Sequence, residues 1–333
     1  MSRGPVVIEV TRGPVVESRH EGIAAVVKAD GTVVESWGDI DAAILPRSAN
    51  KPIQAMAFVE SGAVERFGLG DEHVALSCAS HSGETRHVET VRAWLAKIGL
   101  SEADLECGTH APRLQSSIEA LARANTLPTA AFNNCSGKHS GFLTTAVHYG
   151  EPARGYIQYD HPVQRRLRET MSALCGLDAD AFPHGTDGCG IPTLATPLKN
   201  LAQAMAAMAD PSGLSSKRAD AANRIRKAMN AEPFMVAGTG RFCTRINEAA
   251  PGVIQVKTGA EGVFCGMLPT LGLGVALKVW DGAGRAAEVA MAALLDHLGV
   301  LPAGQREEVL HPQIKNVVGL LVGEMRPAKS WLG

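Results

Sequence analysis

Apolar and polar positions change their period along the chain. Near the amino end they form short β-branched runs, and Val6–Val10, Ile23–Lys28 and Thr32–Ser36 read as strands. Ala29-Asp30-Gly31 joins the last two, and Asp-Gly between β-branched runs is a strong hairpin signal. From about residue 50 to 230 the spacing becomes helical. It predicts helices over Ile53–Val64, Arg86–Ile98, Ser116–Ala124, Ser140–Tyr149, Val163–Cys175, Leu198–Met208 and Ser216–Met229. Strand patterns return at Val253–Lys257, Gly262–Met267 and Gly274–Trp280. The helix predicted next, Ala286–Leu298, is apolar nearly all round and so is expected to lie against the sheet. Ile314–Val322 fits a strand or a helix. Strands at both ends of a helical middle predict an α+β fold: one antiparallel sheet built from both termini (residues 1–45 and 250–333), with a helical lobe (46–249) inserted. All of residues 1–333 is expected to form one domain, and no repeat is visible.

Composition narrows the function classes. The 333 residues are 45% hydrophobic and 20% charged, as in an ordinary globular protein with a sizeable core. A formal charge of −2 with no basic block argues against nucleic-acid binding. No apolar run reaches membrane-spanning length, and the first ten residues have neither a signal core nor a cleavage region, which predicts a cytoplasmic protein. The seven cysteines, at 78, 107, 135, 175, 189, 243 and 265, are an odd number and are expected to be reduced thiols.

Two strings carry candidate chemistry. Ser48-Ala49-Asn50-Lys51 and Lys257-Thr258-Gly259 have the order used by serine acyl-transfer enzymes that activate the nucleophile with lysine. Residues three apart on a helix share a face, so Lys51 is placed to serve Ser48. The competing reading is an N-cap serine with a solvated lysine. Pro52 disfavours helical geometry at Lys51, so the helix is expected to start loosely. In Ser77-Cys78-Ala79-Ser80-His81-Ser82, Ser80 is a candidate second hydroxyl paired with Lys257, against the plainer reading of a polar loop. Asn133-Asn134-Cys135-Ser136-Gly137-Lys138-His139 is no phosphate loop, because Phe132 and His139 stand where glycine and Ser/Thr are required. With Gly185-Thr186-Asp187-Gly188-Cys189-Gly190 it offers two thiolates, Cys135 and Cys189, for a zinc ion, and spacing alone favours His139 or Asp187 as third ligand. Two buried inert cysteines are the equal alternative.

Taken together, these strings and Lys257-Thr-Gly-Ala-Glu-Gly262 resemble the L-asparaginase II family of the Rhizobium etli type over essentially the whole chain. The resemblance implies a penicillin-binding-protein/serine β-lactamase-like fold, a homodimer, and hydrolysis of L-asparagine to L-aspartate and ammonia. It implies Ser–Lys tandems at Ser48/Lys51 and Ser80/Lys257, and Zn2+ held by Cys135, Lys138, Cys189 and water. On this reading Ser48 is the nucleophile and Lys51, in its neutral form, its base; the backbone amides of Ser48 and Ala260 bind the oxyanion. The α-carboxylate is expected on Arg47, the α-ammonium on Asp187 or Glu261, and a hydrogen bond to either end from His139. Two other classes use some of the same residues: a penicillin-recognising serine carboxypeptidase or β-lactamase, and a non-catalytic zinc-binding module.

Overall fold

A computed structural model describes residues 4–332. An antiparallel sheet runs through the molecule, built from β1 (Val6–Arg12), β2 (Val15–Lys28), β3 (Val33–Trp37), β4 (Gln255–Thr258), β5 (Val263–Leu268), β6 (Leu273–Val279), β7 (Gln313–Lys315) and β8 (Leu321–Pro327). The order is β7-β8-β1-β2-β6-β5-β4, with β3 paired to β2 as well. Both ends of the chain therefore build one sheet, and the α+β expectation holds.

β2 joins the two halves. Its first part pairs with β1, and its second part pairs with β6 on one side and β3 on the other. Both faces of the central strands are buried, with alternate residues facing two separate cores. Ile23, Ala25, Val27, Cys265 and Met267 face the helical lobe, while Ala24, Val26, Phe264 and Val275 face the opposite layer. This explains why these strands read as continuous apolar runs.

Five helices matter for the site or the layers: α1 (Lys51–Glu60), α2 (Asp71–Ser77), α3 (Ser136–Tyr149), α4 (Leu198–Ala209) and α5 (Gly284–His297). α4 covers the lobe-side face of the sheet and α5 the other, so α5 buries its apolar residues from Ala286 to Leu295 as its composition predicts. α4 lies close enough to β6 that a Cβ at Gly274 would come within 2.1 Å of the Ala202 carbonyl oxygen. α1, α2 and α3 form the centre of the lobe, together with Thr85–Lys97, Pro162–Cys175 and Ser216–Ala231.

The structure departs from the sequence reading at several elements. Residues 15–22 are strand, and Ile314–Val322 contains the end of one strand, a turn and the start of another. α2, Pro233–Ala237 and Phe242–Ala249 are helices too short for periodicity to reveal. α3 begins at Ser136, four residues earlier than expected. All seven cysteines are free and buried. No helix among the described residues is long and apolar enough to cross a membrane.

Candidate functional site

The site forms where the start of α1, the end of α2, the start of α3 and the end of β4 meet. Arg47 has a positive φ of 50°, a sparsely populated conformation for a side-chain-bearing residue, immediately before Ser48. A 3-10 turn over Arg47–Asn50 then leads into α1, whose second residue is Pro52, in the first turn where proline is tolerated. This is the loose start that Pro52 predicts. β4 runs directly behind the turn. A Cβ on Gly259 would lie 2.9 Å from the Pro46 carbonyl oxygen and 3.2 Å from the Ala49 amide nitrogen, so only glycine lets the strand come this close.

Lys51 and Lys257 are both buried, and both donate to Ser80. Lys51 Nζ lies 3.1 Å and Lys257 Nζ 2.7 Å from Ser80 Oγ. Lys51 also donates to the carbonyls of Ala79 (2.5 Å) and Asn134 (3.4 Å), and Lys257 to that of Thr258 (2.7 Å). The pairing of Ser80 with Lys257 is thus present. Lys51, however, reaches Ser80, and Ser48 has no side-chain hydrogen bond among the described residues. The turn into α1 aims the lysine stem inward, toward the carbonyls that close α2 and precede α3. Burial, and next the charge of Lys51, push the Lys257 ammonium from an ordinary 10.5 down to about 7. Lys257 is thereby poised to be neutral near pH 7.

Ser48 and Ser80 share a cavity of about 400 Å³ with Asn134, Thr258, Ala260 and Glu261. The backbone amides of Ser48 and Ala260 have no intramolecular acceptor among the described residues. Glu261 sits at a φ of 56° in the tight turn between β4 and β5. Arg113, Arg241, Arg285 and Glu288 complete the wall. Sequence reading missed these four, because none belongs to a local string that signals chemistry.

Cys135, Lys138 and Cys189 also come together. Cys135 caps α3, Lys138 lies in its first turn, and Cys189 sits at the tip of a small hairpin formed by His184–Thr186 and Pro192–Leu194. Gly137 permits this packing, since a Cβ there would lie 2.3 Å from the Leu76 carbonyl oxygen of α2. Lys138 Nζ donates to Cys189 Sγ at 3.1 Å. A hydrogen bond from Cys135, opposed by burial and helped by Lys138, brings Cys189 down to about 5, and the same bond lifts Cys135 to about 12. Burial lowers the Lys138 pKa, but Cys135, Cys189 and Asp187 outweigh it and raise it on balance. Two sulfurs and one amine are gathered in a buried corner, a soft donor set that suits zinc. Among the described residues no group of three or more His, Cys, Asp and Glu side chains is arranged for a metal, so His139 and Asp187 do not complete a shell.

The residues expected to hold the two ends of an amino acid are divided. Arg47 Nε is 2.6 Å from Asp187 Oδ1, so these two charges are paired with each other. Burial raises the Asp187 pKa, but Lys138 and Arg47 more than offset this and keep it low. His139 is completely buried and lies off the cavity wall. Tyr156 Oη accepts from the Glu106 amide and lies within hydrogen-bond distance, 2.7 Å, of His139 Nδ1. Burial, then the charge of Lys138, lower the His139 pKa to about 3. Ala260 and Glu261 do line the cavity.

The sequence model of a family described as L-asparaginase II matches residues 8–327. No curated protein matches the sequence significantly. Similar solved structures include Mglu in its tris and glutamate form, with 15% identity and a TM-score of 0.48, covering 90% of this chain and 64% of that one. The chain thus spans less than two thirds of the length of Mglu. A β-lactamase from Mycobacterium bovis is 13% identical with a TM-score of 0.41, covering 83% of this chain and 94% of that one. A β-lactamase-type protein from Bacteroides dorei DSM 17855 is 15% identical with a TM-score of 0.42, covering 78% and 84%.

Proposed function

The chain belongs to the L-asparaginase II family, an asparaginase-type hydrolase family, and from that premise we propose that it converts L-asparagine to L-aspartate and ammonia through an acyl-enzyme ester. Two buried lysines converging on one serine hydroxyl in the wall of the Ser48 cavity carry this reading.

In this scheme Ser48 Oγ attacks the side-chain carbonyl carbon. Its hydroxyl is on the cavity wall and unbonded, so attack breaks no existing side-chain hydrogen bond. The serine proton passes through Ser80 to the neutral amine of Lys257 and returns to the departing nitrogen as the C–N bond breaks. Lys51 holds the Ser80 oxygen in line by donating to it and to two carbonyls. The unpaired amides of Ser48 and Ala260 are the donors for the developing oxyanion. Water then hydrolyses the ester by the same relay in reverse.

We also propose zinc on Cys135, Lys138 and Cys189, with Lys138 giving up its proton to become a ligand. Bound there, zinc supplies fixed positive charge beside the substrate pocket. The Arg47–Asp187 pair holds the Cys189 hairpin against the Ser48 turn.

The deciding experiment is ammonia release from L-asparagine by the wild type and Ser48→Ala, with hydroxylamine trapping of the ester and mass spectrometry of the modified peptide. Ser48→Ala is expected to lower turnover by roughly a thousandfold or more. Full activity in Ser48→Ala with an inactive Ser80→Ala would transfer the nucleophile to Ser80.

A further inference from the structure

The three arginines in the cavity wall come from separate parts of the chain. Arg113 lies just before the helix Gln115–Arg123, Arg241 directly precedes Phe242–Ala249, and Arg285 is in the first turn of α5. Among the described residues, none of their guanidinium groups forms an ion pair or a side-chain hydrogen bond. Arg47, by contrast, already has Asp187. The Arg241 charge and then burial lower the Arg113 pKa, while Glu288 works the other way. Glu288 also lines the cavity, but it is partly buried and forms no ion pair with any arginine. Burial raises its pKa despite Arg241 and Arg113. The wall that holds Ser48 and Ser80 therefore holds two guanidinium groups that make no ion pair, with Glu288 acting on both only through space.

We propose that Arg113 and Arg241 bind the α-carboxylate of the amino-acid substrate, so that they, and not Arg47, select an amide carrying a free carboxylate. A carboxylate between two guanidinium groups removes their mutual repulsion and accepts several charge-assisted hydrogen bonds, a match lysine or amide side chains would not give. Arg285, exposed at the rim, adds to the positive field that draws the anion in. The inference rests on the L-asparagine reading above.

The test uses substrates that differ only at the α-carboxylate. Ammonia release is measured with L-asparagine and L-asparaginamide for the wild type, Arg113→Gln, Arg241→Gln, Arg241→Lys and Arg47→Gln. Calorimetry compares L-aspartate with L-isoasparagine, whose α-carboxylate is an amide. Arg113→Gln and Arg241→Gln should each raise KM for asparagine about 10- to 100-fold. That rise should exceed any rise for asparaginamide by at least tenfold, with Arg241→Lys intermediate. Wild type should prefer aspartate over isoasparagine, and the preference should collapse in both Gln variants. Equal losses on the two amides, or a selective loss in Arg47→Gln alone, would overturn the assignment. If the wild type releases no ammonia from asparagine, the asparaginase reading fails. The calorimetry still decides the subsite, because a preference that is absent in the wild type or intact in the variants overturns it.

Discussion

Lys257 gives the most direct handle on the proposed chemistry. Its displacement from 10.5 to about 7 amounts to about 5 kcal/mol in favour of the amine over the ammonium, at about 1.36 kcal/mol per pKa unit. A base with this pKa is about 10% neutral at pH 6 and about 90% neutral at pH 8. kcat/KM for asparagine should therefore rise close to tenfold between those values and level off above. Lys257→Arg keeps its charge at every accessible pH, so its residual rate should be low and the rise should vanish. Stability provides a second, independent reading of the same group. Between about pH 7 and 10.5 the unfolded lysine holds a proton that the folded one has released, so folding stability must rise with pH across this window. Lys257→Met removes the titration. The wild-type stability minus that of Lys257→Met, from denaturant unfolding, should then climb by about 4 kcal/mol from pH 7 to pH 10. A difference that stays level across this range, or falls, would show that Lys257 is an ordinary ammonium in the folded protein and would remove it as the base.

Ser80→Ala should lower turnover about 100-fold or more through loss of the hydroxyl between the two lysines, while L-aspartate binding is retained; calorimetry on that variant separates relay from binding. Purified wild type should contain close to one zinc per chain by elemental analysis, and Cys135→Ser and Cys189→Ser should each lose it, because a neutral hydroxyl is a poor replacement for a thiolate; undiminished zinc in both would dismiss the ligand set. Gly259→Ala should push β4 away from the Ser48 turn, lowering kcat at least tenfold and destabilising the fold by about 1–3 kcal/mol, as read from rates and unfolding midpoints; unaltered rates would mean that the turn and strand are not rigidly coupled.

What the sequence revealed of this site is what the chemistry compresses into short strings. Ser48 and Lys51 start one helix, Cys135 and Lys138 start another, and Lys257 to Glu261 occupy one strand and its turn. Each string is local because one backbone turn must deliver several groups at once. The β-rich ends and the longer helices were legible for a similar reason, since a face repeated over many residues leaves a period. α2 and Pro233–Ala237 left none, although Val236 provides the carbonyl that binds the Ser80 amide. Residues 15–22 are mostly polar and at least partly exposed, and β1 fixes them as strand by pairing, which no local pattern records.

The same-face rule shows where local reasoning stops. It brings residues 48 and 51 to one side of the chain, but a lysine acts through an atom four bonds beyond its Cβ. At the junction of the 3-10 turn with α1 those bonds lead inward, and the partners that stop Lys51 Nζ are Ala79, Ser80 and Asn134, between 28 and 83 residues along the chain. A buried ammonium requires acceptors wherever the fold offers them. Arg113 and Arg241 illustrate the converse. Each is an unremarked arginine in its own segment, and only the closing of three distant segments around Ser48 turns them into a pair. The length of a string therefore predicts which groups arrive together, and packing alone decides which of them touch.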